Sequence, residues 1–215
     1  MVFKKKPKIG IVVGLKSEKN SITPKENIII ECGYGEHAYE AANKVLKNKI
    51  DFIVSFGLAG SMTKRLKSSQ IIIPNKVIGK QIKSKKTSFA LNSYLREKSK
   101  NKIVSNIKLL TSNKILNKKT NSLDFDAVDM EAGFVFKAAL KHKIPFTSVK
   151  VIFDDLENSI PNFLISSIDK KGELKFFDLF THIVKKPSRI KKLLKLNKIY
   201  KSSMRKLKLV AHQLF

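Results

Sequence analysis

Two pairs of carboxylates, Asp129 with Glu131 and Asp154 with Asp155, bracket the stretch AVDMEAGFVFKAALKHKIPFTSVKVIFDD. Acids at the start of a helix and at the tip of the next strand suggest a single cleft, provided the fold brings them together. The residues between them predict how that happens. Ala132, Val135, Phe136, Ala139 and Leu140 recur at helical spacing, and His142, Lys143 and Pro145 mark the helix exit. Phe146 to Phe153 reads as a buried strand that delivers Asp154 and Asp155 to its C-terminal end. In open α/β sheets, ligands bind beyond the carboxyl ends of the strands. A capped helix and a solvated turn would account for the same residues without any chemistry.

Upstream, strands again end in glycines or polar turns. Lys8 to Leu15 reads as a central parallel strand ending at Gly14, before a turn that carries Ser17 and Glu18. Ile28 to Glu31 is a second strand running into Cys32-Gly33-Tyr34-Gly35, with a helix from Glu36 to Asn48. Asp51 to Phe56 is a third, ended by Gly57-Leu58-Ala59-Gly60-Ser61, a turn whose N–H groups can approach a ligand closely. It lacks the Lys-Ser/Thr of a Walker loop. Gln70 to Ile78 predicts one strand with a bulge or edge position at Pro74. A helical pattern surrounds Phe89 to Leu95, and Ile103 to Leu110 reads as another strand. Thr111 to Ser122 and Leu156 to Pro161 read as loops, the second beside the acids. From Lys185 onward, apolar residues alternate with lysines in a basic amphipathic helix, read as packed on the core in preference to lying on a membrane.

At 215 residues and 42% hydrophobic, the chain can bury the core of one domain, read here as residues 1–215. It holds no apolar run long enough to span a membrane, and its start reads as a first strand, not a signal peptide. Cys32 is the only cysteine, which excludes an intrachain disulfide or a cysteine zinc cluster and fits a reducing compartment. No metal site is expected. The formal net charge is +27, nearly all lysine; the arginines are Arg65, Arg96, Arg189 and Arg205. Base-reading proteins lean on arginine, so a compositional bias or a weak surface role is preferred to dedicated nucleic-acid binding. The field still attracts anions, RNA or anionic lipid.

Four segments in order, GLKSE, ECGYGEHA, SFGLAGSM and AVDMEAG with VIFDD, resemble the nucleoside phosphorylase and nucleosidase superfamily, which includes the methylthioadenosine/S-adenosylhomocysteine nucleosidases. Within it the chain most resembles the hopanoid-associated phosphorylase branch. The resemblance covers roughly residues 8 to 161 and the tail more loosely. It implies a three-layer α/β fold with a central mixed, partly barrel-like sheet flanked by helices. It also implies cleavage of the N-glycosidic bond of a purine nucleoside by water or phosphate. On that resemblance Asp154 protonates N7 of the leaving base, and Glu131 holds the ribose hydroxyls with Met130 packed on the sugar. Glu18 activates the attacking water. Gly57, Leu58, Ala59 and Gly60 line sugar and base, and Gly33 and Gly35 form the turn near the nucleophile. Phe153 lines the site where family members commonly carry serine, and Ile115 falls where an aromatic would stack on the base. Asp155 is expected to help raise the pKa of Asp154 by like-charge proximity.

Phosphorylases of this family hold phosphate with arginines near the first glycine turn and before the third. Here those places carry Lys16, Lys19 and Val54-Ser55. Hydrolysis is therefore favoured, with no cofactor and with inorganic phosphate left open as a cosubstrate. The branch implies an adenosylated hopanoid that loses adenine; a methylthioadenosine/S-adenosylhomocysteine nucleosidase is the alternative. Charge-driven RNA binding or an inactive homologue are readings of another class. The expected partners are a nucleoside or nucleoside-lipid substrate, an anionic membrane touched peripherally through the basic tail, and a second copy in a homodimer, with no specific nucleic acid. The expected location is cytoplasmic or peripheral at the inner membrane face.

Overall fold

The computed structural model describes residues 5–114, 116, 124–158, 160 and 189–215. Along them the chain forms β1 (Ile9–Val13), α1 (Lys16–Lys19), β2 (Ile28–Cys32), a 3₁₀ turn (Gly35–His37), α2 (Ala38–Leu46) and β3 (Phe52–Ser61). There follow β4 (Ile71–Ile72), β5 (Lys76–Gly79), β6 (Lys83–Lys86), α3 (Phe89–Lys98), β7 (Ile103–Val104), β8 (Lys108–Thr111) and β9 (Ala127–Asp129). The last elements are α4 (Ala132–Lys141), β10 (Phe146–Ile152) and a long C-terminal α5 (Arg189–Leu214).

β3 is the hub. Its first half lies between β1 and β10, parallel to both, in the register Ile11↔Val54 and Val149↔Phe56. Its end crosses to β9, where Gly60 and Ser61 pair antiparallel with Val128 and Ala127. From there the sheet continues through β8, β5 and β6, while β10 leads on to β4 and β7, and β1 to β2. The sheet is mixed and curls about this crossing into a half-barrel. Alternation along the strands feeds one core on each face. Val12, Ile53, Phe146 and Ile152 meet α2 and α4, where Phe136 stacks on Phe146 at 4.3 Å between ring centroids. Ile11, Val54, Phe56, Val149 and Val151 meet α3 and α5 on the other face. The three-layer α/β architecture expected from the sequence is therefore present.

Three local expectations are corrected. The segment Gly57–Ser61 is not a turn: β3 runs straight through it, because Leu58 and Ala59 keep their pairing with Val151 and Ile152 of β10. The stretch 70–78 is not one bulged strand but two strands serving different parts of the sheet. Pro74 cannot donate to a ladder, and its carbonyl instead accepts from Thr87 Oγ1 and Asn92 Nδ2. The stretch 103–110 divides likewise, at a turn where Asn106 adopts φ +58°.

The tail packs on the core through its C-terminal half. Leu207, Val210, Ala211, Leu214 and Phe215 are buried, with Phe215 edge-on to Phe56 at 5.3 Å. Lys98 Nζ donates to the Leu214 carbonyl and ties α3 to this end. Earlier in α5, Ile190 and Leu194 are exposed. The predicted start of this helix, 185–188, lies outside the described residues, and among those no helix is long and apolar enough to cross a membrane.

Candidate active site

Glycine is what lets the acids converge. Glu18 sits in the single-turn helix α1 directly after β1, Glu131 immediately precedes α4, and Asp154 follows β10. A Cβ on Gly14 would lie 2.9 Å from the Glu131 carboxyl; one on Gly57 would lie 2.5 Å from Glu18 Oε1; one on Gly60 would lie 2.8 Å from Asp154 Oδ1. Each carboxylate thus rests on backbone that carries no side chain, and Gly57 is further held at φ +154°, which L residues rarely adopt. The glycines read as a ligand-binding turn are instead the seats of two of the acids.

Backbone amides fix the carboxylates in these seats. Glu18 Oε2 accepts from the Gly14 and Leu15 amides at 2.9 and 3.0 Å, and Oε1 accepts from the Leu58 amide at 2.8 Å. Glu131 Oε1 accepts from the Gly35 amide at 3.2 Å. At the far corner, the Ser61 amide donates to the Asp154 carbonyl at 2.8 Å.

Below Glu18 and Glu131 lies a charge that the sequence reading passed over. Lys150, at the centre of apolar β10, is buried, and its Nζ is 2.9 Å from Oδ2 of the equally buried Asp129. Asp129 also accepts from Thr111 Oγ1 at 2.8 Å and from the Ala132 amide at 2.9 Å, capping α4. Thr111 in turn accepts from the Gly133 amide at 2.7 Å. Burial pushes the Glu131 carboxyl up to about 8; Asp129 and Glu18 add to this, and Lys150 pulls against it. Burial raises Glu18 as well, against Lys150 and its three amides. For Lys150, burial favours the neutral amine, but Asp129, Glu131 and Glu18 outweigh it and its pKa is raised. One lysine is therefore shared among three acidic side chains.

At the Asp154–Asp155 corner the two acids have different surroundings. Asp155 turns out of the cavity into its own loop, where its carboxylate accepts from the Ser68 amide and hydroxyl, the Glu157 and Asn158 amides and Asn158 Nδ2, all between 2.9 and 3.0 Å. Burial works to raise its pKa, but these donors prevail and lower it to about 2. Asp155 is a loop clamp held ionised by its donors.

Glu18, Leu58, Ala59, Gly60, Met130, Glu131, Phe153 and Asp154 line one cavity of about 210 Å³. Gly57 lies behind Glu18 and the Gly35 amide behind Glu131, whereas Gly33 packs on the His37 carbonyl, where a Cβ would meet oxygen at 2.6 Å. Ile115 lies outside the described residues, as do 159 and 161 of the predicted loop; Leu116 and Ile160 line the cavity. Sequence reasoning missed Tyr34, whose hydroxyl donates to Met130 Sδ at 3.2 Å, and Tyr200 of α5. It also missed Lys150, although a lysine within FTSVKVI was a readable signal of a buried charge. Among the described residues no cluster of His, Cys, Asp and Glu is placed to hold a metal ion.

Neither a family model nor a curated protein sequence matches the chain. Solved structures do. The futalosine hydrolase of Helicobacter pylori superposes with a TM-score of 0.64 at 16% identity, covering 97% of this chain and 98% of that one. The methylthioadenosine/S-adenosylhomocysteine nucleosidase of the same organism, a mutant form with 5′-methylthioadenosine in its active site, gives 0.62 at 16% identity over 98% and 100%. The corresponding enzyme of Colwellia psychrerythraea, in complex with adenine, gives 0.61 at 16% identity over 72% and 85%. Across these distances of sequence the chain keeps the nucleoside phosphorylase/nucleosidase fold.

Proposed function

We propose that the protein hydrolyses the N-glycosidic bond of an adenine nucleoside. The observation that carries the reading is the convergence of Glu18, Glu131 and Asp154, each seated on a glycine, around one cavity. Asp154, protonated, gives its proton to N7 of the base as the C1′–N9 bond breaks and the base leaves. Glu131 holds the ribose 2′ and 3′ hydroxyls by hydrogen bonds. Water attacks C1′, and Glu18 takes its proton; burial suits Glu18 to that role by raising its affinity for protons. The products are free adenine and the sugar with a hydroxyl at C1′. Exchange with solvent returns the proton from Glu18 and reloads Asp154.

Water is preferred to phosphate because no arginine is among the described residues lining the cavity, while the anionic Glu18 faces the attacking position. Release of adenine without phosphate, lost in Asp154→Asn, tests the reading; strict phosphate dependence with formation of sugar 1-phosphate would overturn hydrolysis. The substrates to compare are methylthioadenosine, S-adenosylhomocysteine and an adenosylated hopanoid. The last is supported by the exposed Ile190, Leu194 and Leu209 on lysine-rich α5, which suit peripheral contact with an anionic bilayer. Vesicle flotation at physiological salt tests that contact, and failure to float with anionic vesicles removes it. Steeply salt-dependent RNA binding without any base release would favour the charge-driven alternative.

A further inference from the structure

The end of β10 that delivers Asp154 is also held by a loop and by α5. The Ser69 amide and the Ser203 hydroxyl both donate to the Ile152 carbonyl, at 2.7 and 3.2 Å, and the Ile152 amide donates to the Gln70 carbonyl at 2.8 Å. Between the loop 68–70, just before β4, and α5 opens a cleft of about 470 Å³. Ser202, Arg205 and Lys206, three and four residues apart, form its helical wall, and Ser68, Ser69 and Gln70 form the other. Among the described residues no acidic side chain lines it. Ser69 is held at φ +67°, a conformation that costs an L residue energy, and its hydroxyl lies 3.1 Å from that of Ser202.

We propose that this cleft binds a phosphoryl group, separately from the cavity of Glu18, Glu131 and Asp154, with which it shares no lining residue. Two hydroxyls joined by one hydrogen bond use one proton and leave the other for a third partner. Gln70 Oε1 accepts from the Lys67 amide at 2.8 Å, which leaves the NH₂ group of that side chain as a donor. Arg205 uses Nε on the Lys201 carbonyl at 3.3 Å, and among the described residues its terminal nitrogens remain to donate. Lys206 Nζ, tethered to Asn101 Oδ1 at 2.7 Å, has further protons to give. Two cations and two neutral donors on facing walls match the several oxygens and the charge of inorganic phosphate or a phosphate monoester. A carboxylate offers fewer acceptors and less charge. Ser68 links the cleft to the acid corner, since its amide and hydroxyl hold Asp155. An anion bound here bears on the loop after β10 without entering the catalytic cavity. The inference stands apart from the nucleosidase reading.

Calorimetric titration of the whole protein with inorganic phosphate and with glycerol 3-phosphate at low salt tests the site. Saturable binding with a Kd of about 1 mM or tighter is expected. Arg205→Gln is expected to weaken it roughly tenfold and the neutral change Ser202→Ala roughly threefold. Lys208→Gln removes one charge from the same helix outside the cleft and is expected to weaken it less than about twofold. No saturable binding in wild type would overturn the site. Equal weakening by Arg205→Gln and Lys208→Gln would reduce it to a diffuse positive field. Binding that survives both Arg205→Gln and Ser202→Ala lies elsewhere, the catalytic cavity included, and overturns it too. Phosphatidylcholine vesicles carrying phosphatidate separate the sources: capture that glycerol 3-phosphate reverses assigns a lipid headgroup, and binding of the soluble probes alone assigns a free phosphate ester. Hydrogen exchange at the Glu157 and Asn158 amides, which donate to Asp155, is expected to slow about threefold or more in excess phosphate, and not in Arg205→Gln. Unchanged exchange in wild type with phosphate bound would overturn the link to the acid corner.

Discussion

The two acid pairs of this molecule make the same division of labour by opposite physics. In each pair one carboxylate ties the scaffold together, Asp129 at the start of α4 and Asp155 at the end of β10; Glu131 and Asp154 line the cavity, whose wall Asp129 also reaches. At the first corner, acids are buried around one lysine, and Glu131 is pushed up to about 8. At the second, the scaffold acid is wrapped by loop donors and held down at about 2. Burial thus raises Glu131 while hydrogen bonding lowers Asp155. Neither spacing nor residue type distinguishes one acid of a pair from its neighbour; the surroundings do.

Removing the two members of the second pair separately puts this contrast to its hardest test. Asp154→Asn is expected to lower the rate of adenine release by about 10²- to 10⁴-fold with little change in melting temperature. Asp155→Asn is expected to spare most of the rate and to lower stability by about 1–3 kcal/mol. That stability is present above about pH 4 and lost as the pH falls toward 2, since the folded group ionises below its ordinary value of 3.8. Similar loss of activity in both variants would erase the division between them.

At the first corner the largest expected effect is on stability. Lys150→Met strands Asp129 in the core and is expected to cost about 3–5 kcal/mol in chemical denaturation, with part recovered when Asp129→Asn is added. No recovery in the double variant would mean that Lys150 serves Glu18 and Glu131 more than Asp129. Next comes a pH slope. Folded Glu131 keeps its proton up to about pH 8, whereas the unfolded chain releases it near 4.5, so folding takes up a proton between these values. Stability should then fall as pH rises through that window, by up to about 1.4 kcal/mol per pH unit from this group, and Glu131→Gln should flatten the slope. The smallest effect is expected from Tyr200→Phe, which removes the hydrogen bond to Ser17 at about 1 kcal/mol and serves as the reference for a change at the cavity rim.

Local periodicity determined a good deal of this protein. The apolar runs Ile9–Val13 and Phe146–Ile152 could only be buried strands, and the spacing of Ala132, Val135, Phe136 and Ala139 could only be a core-facing helix, so the acids at their ends were placed correctly along the chain. The break at Pro74 was marked by a residue that cannot join a ladder. Tertiary structure decided the rest, because the deciding contacts join residues far apart in sequence. A glycine reads as a turn until β10 pairs alongside it and Glu18 settles on it, which is how Gly57 and Gly60 came to lie inside a strand. A lysine in an apolar strand reads as an interruption until Asp129, Glu131 and Glu18 are folded around it. Tyr200, on a helix read only as a basic tail, gains its meaning from Ser17 and Phe153. Periodicity reports which face of an element is buried; only the packed chain determines what that face meets, and charge balance, proton affinity and the walls of the cavity all depend on those meetings.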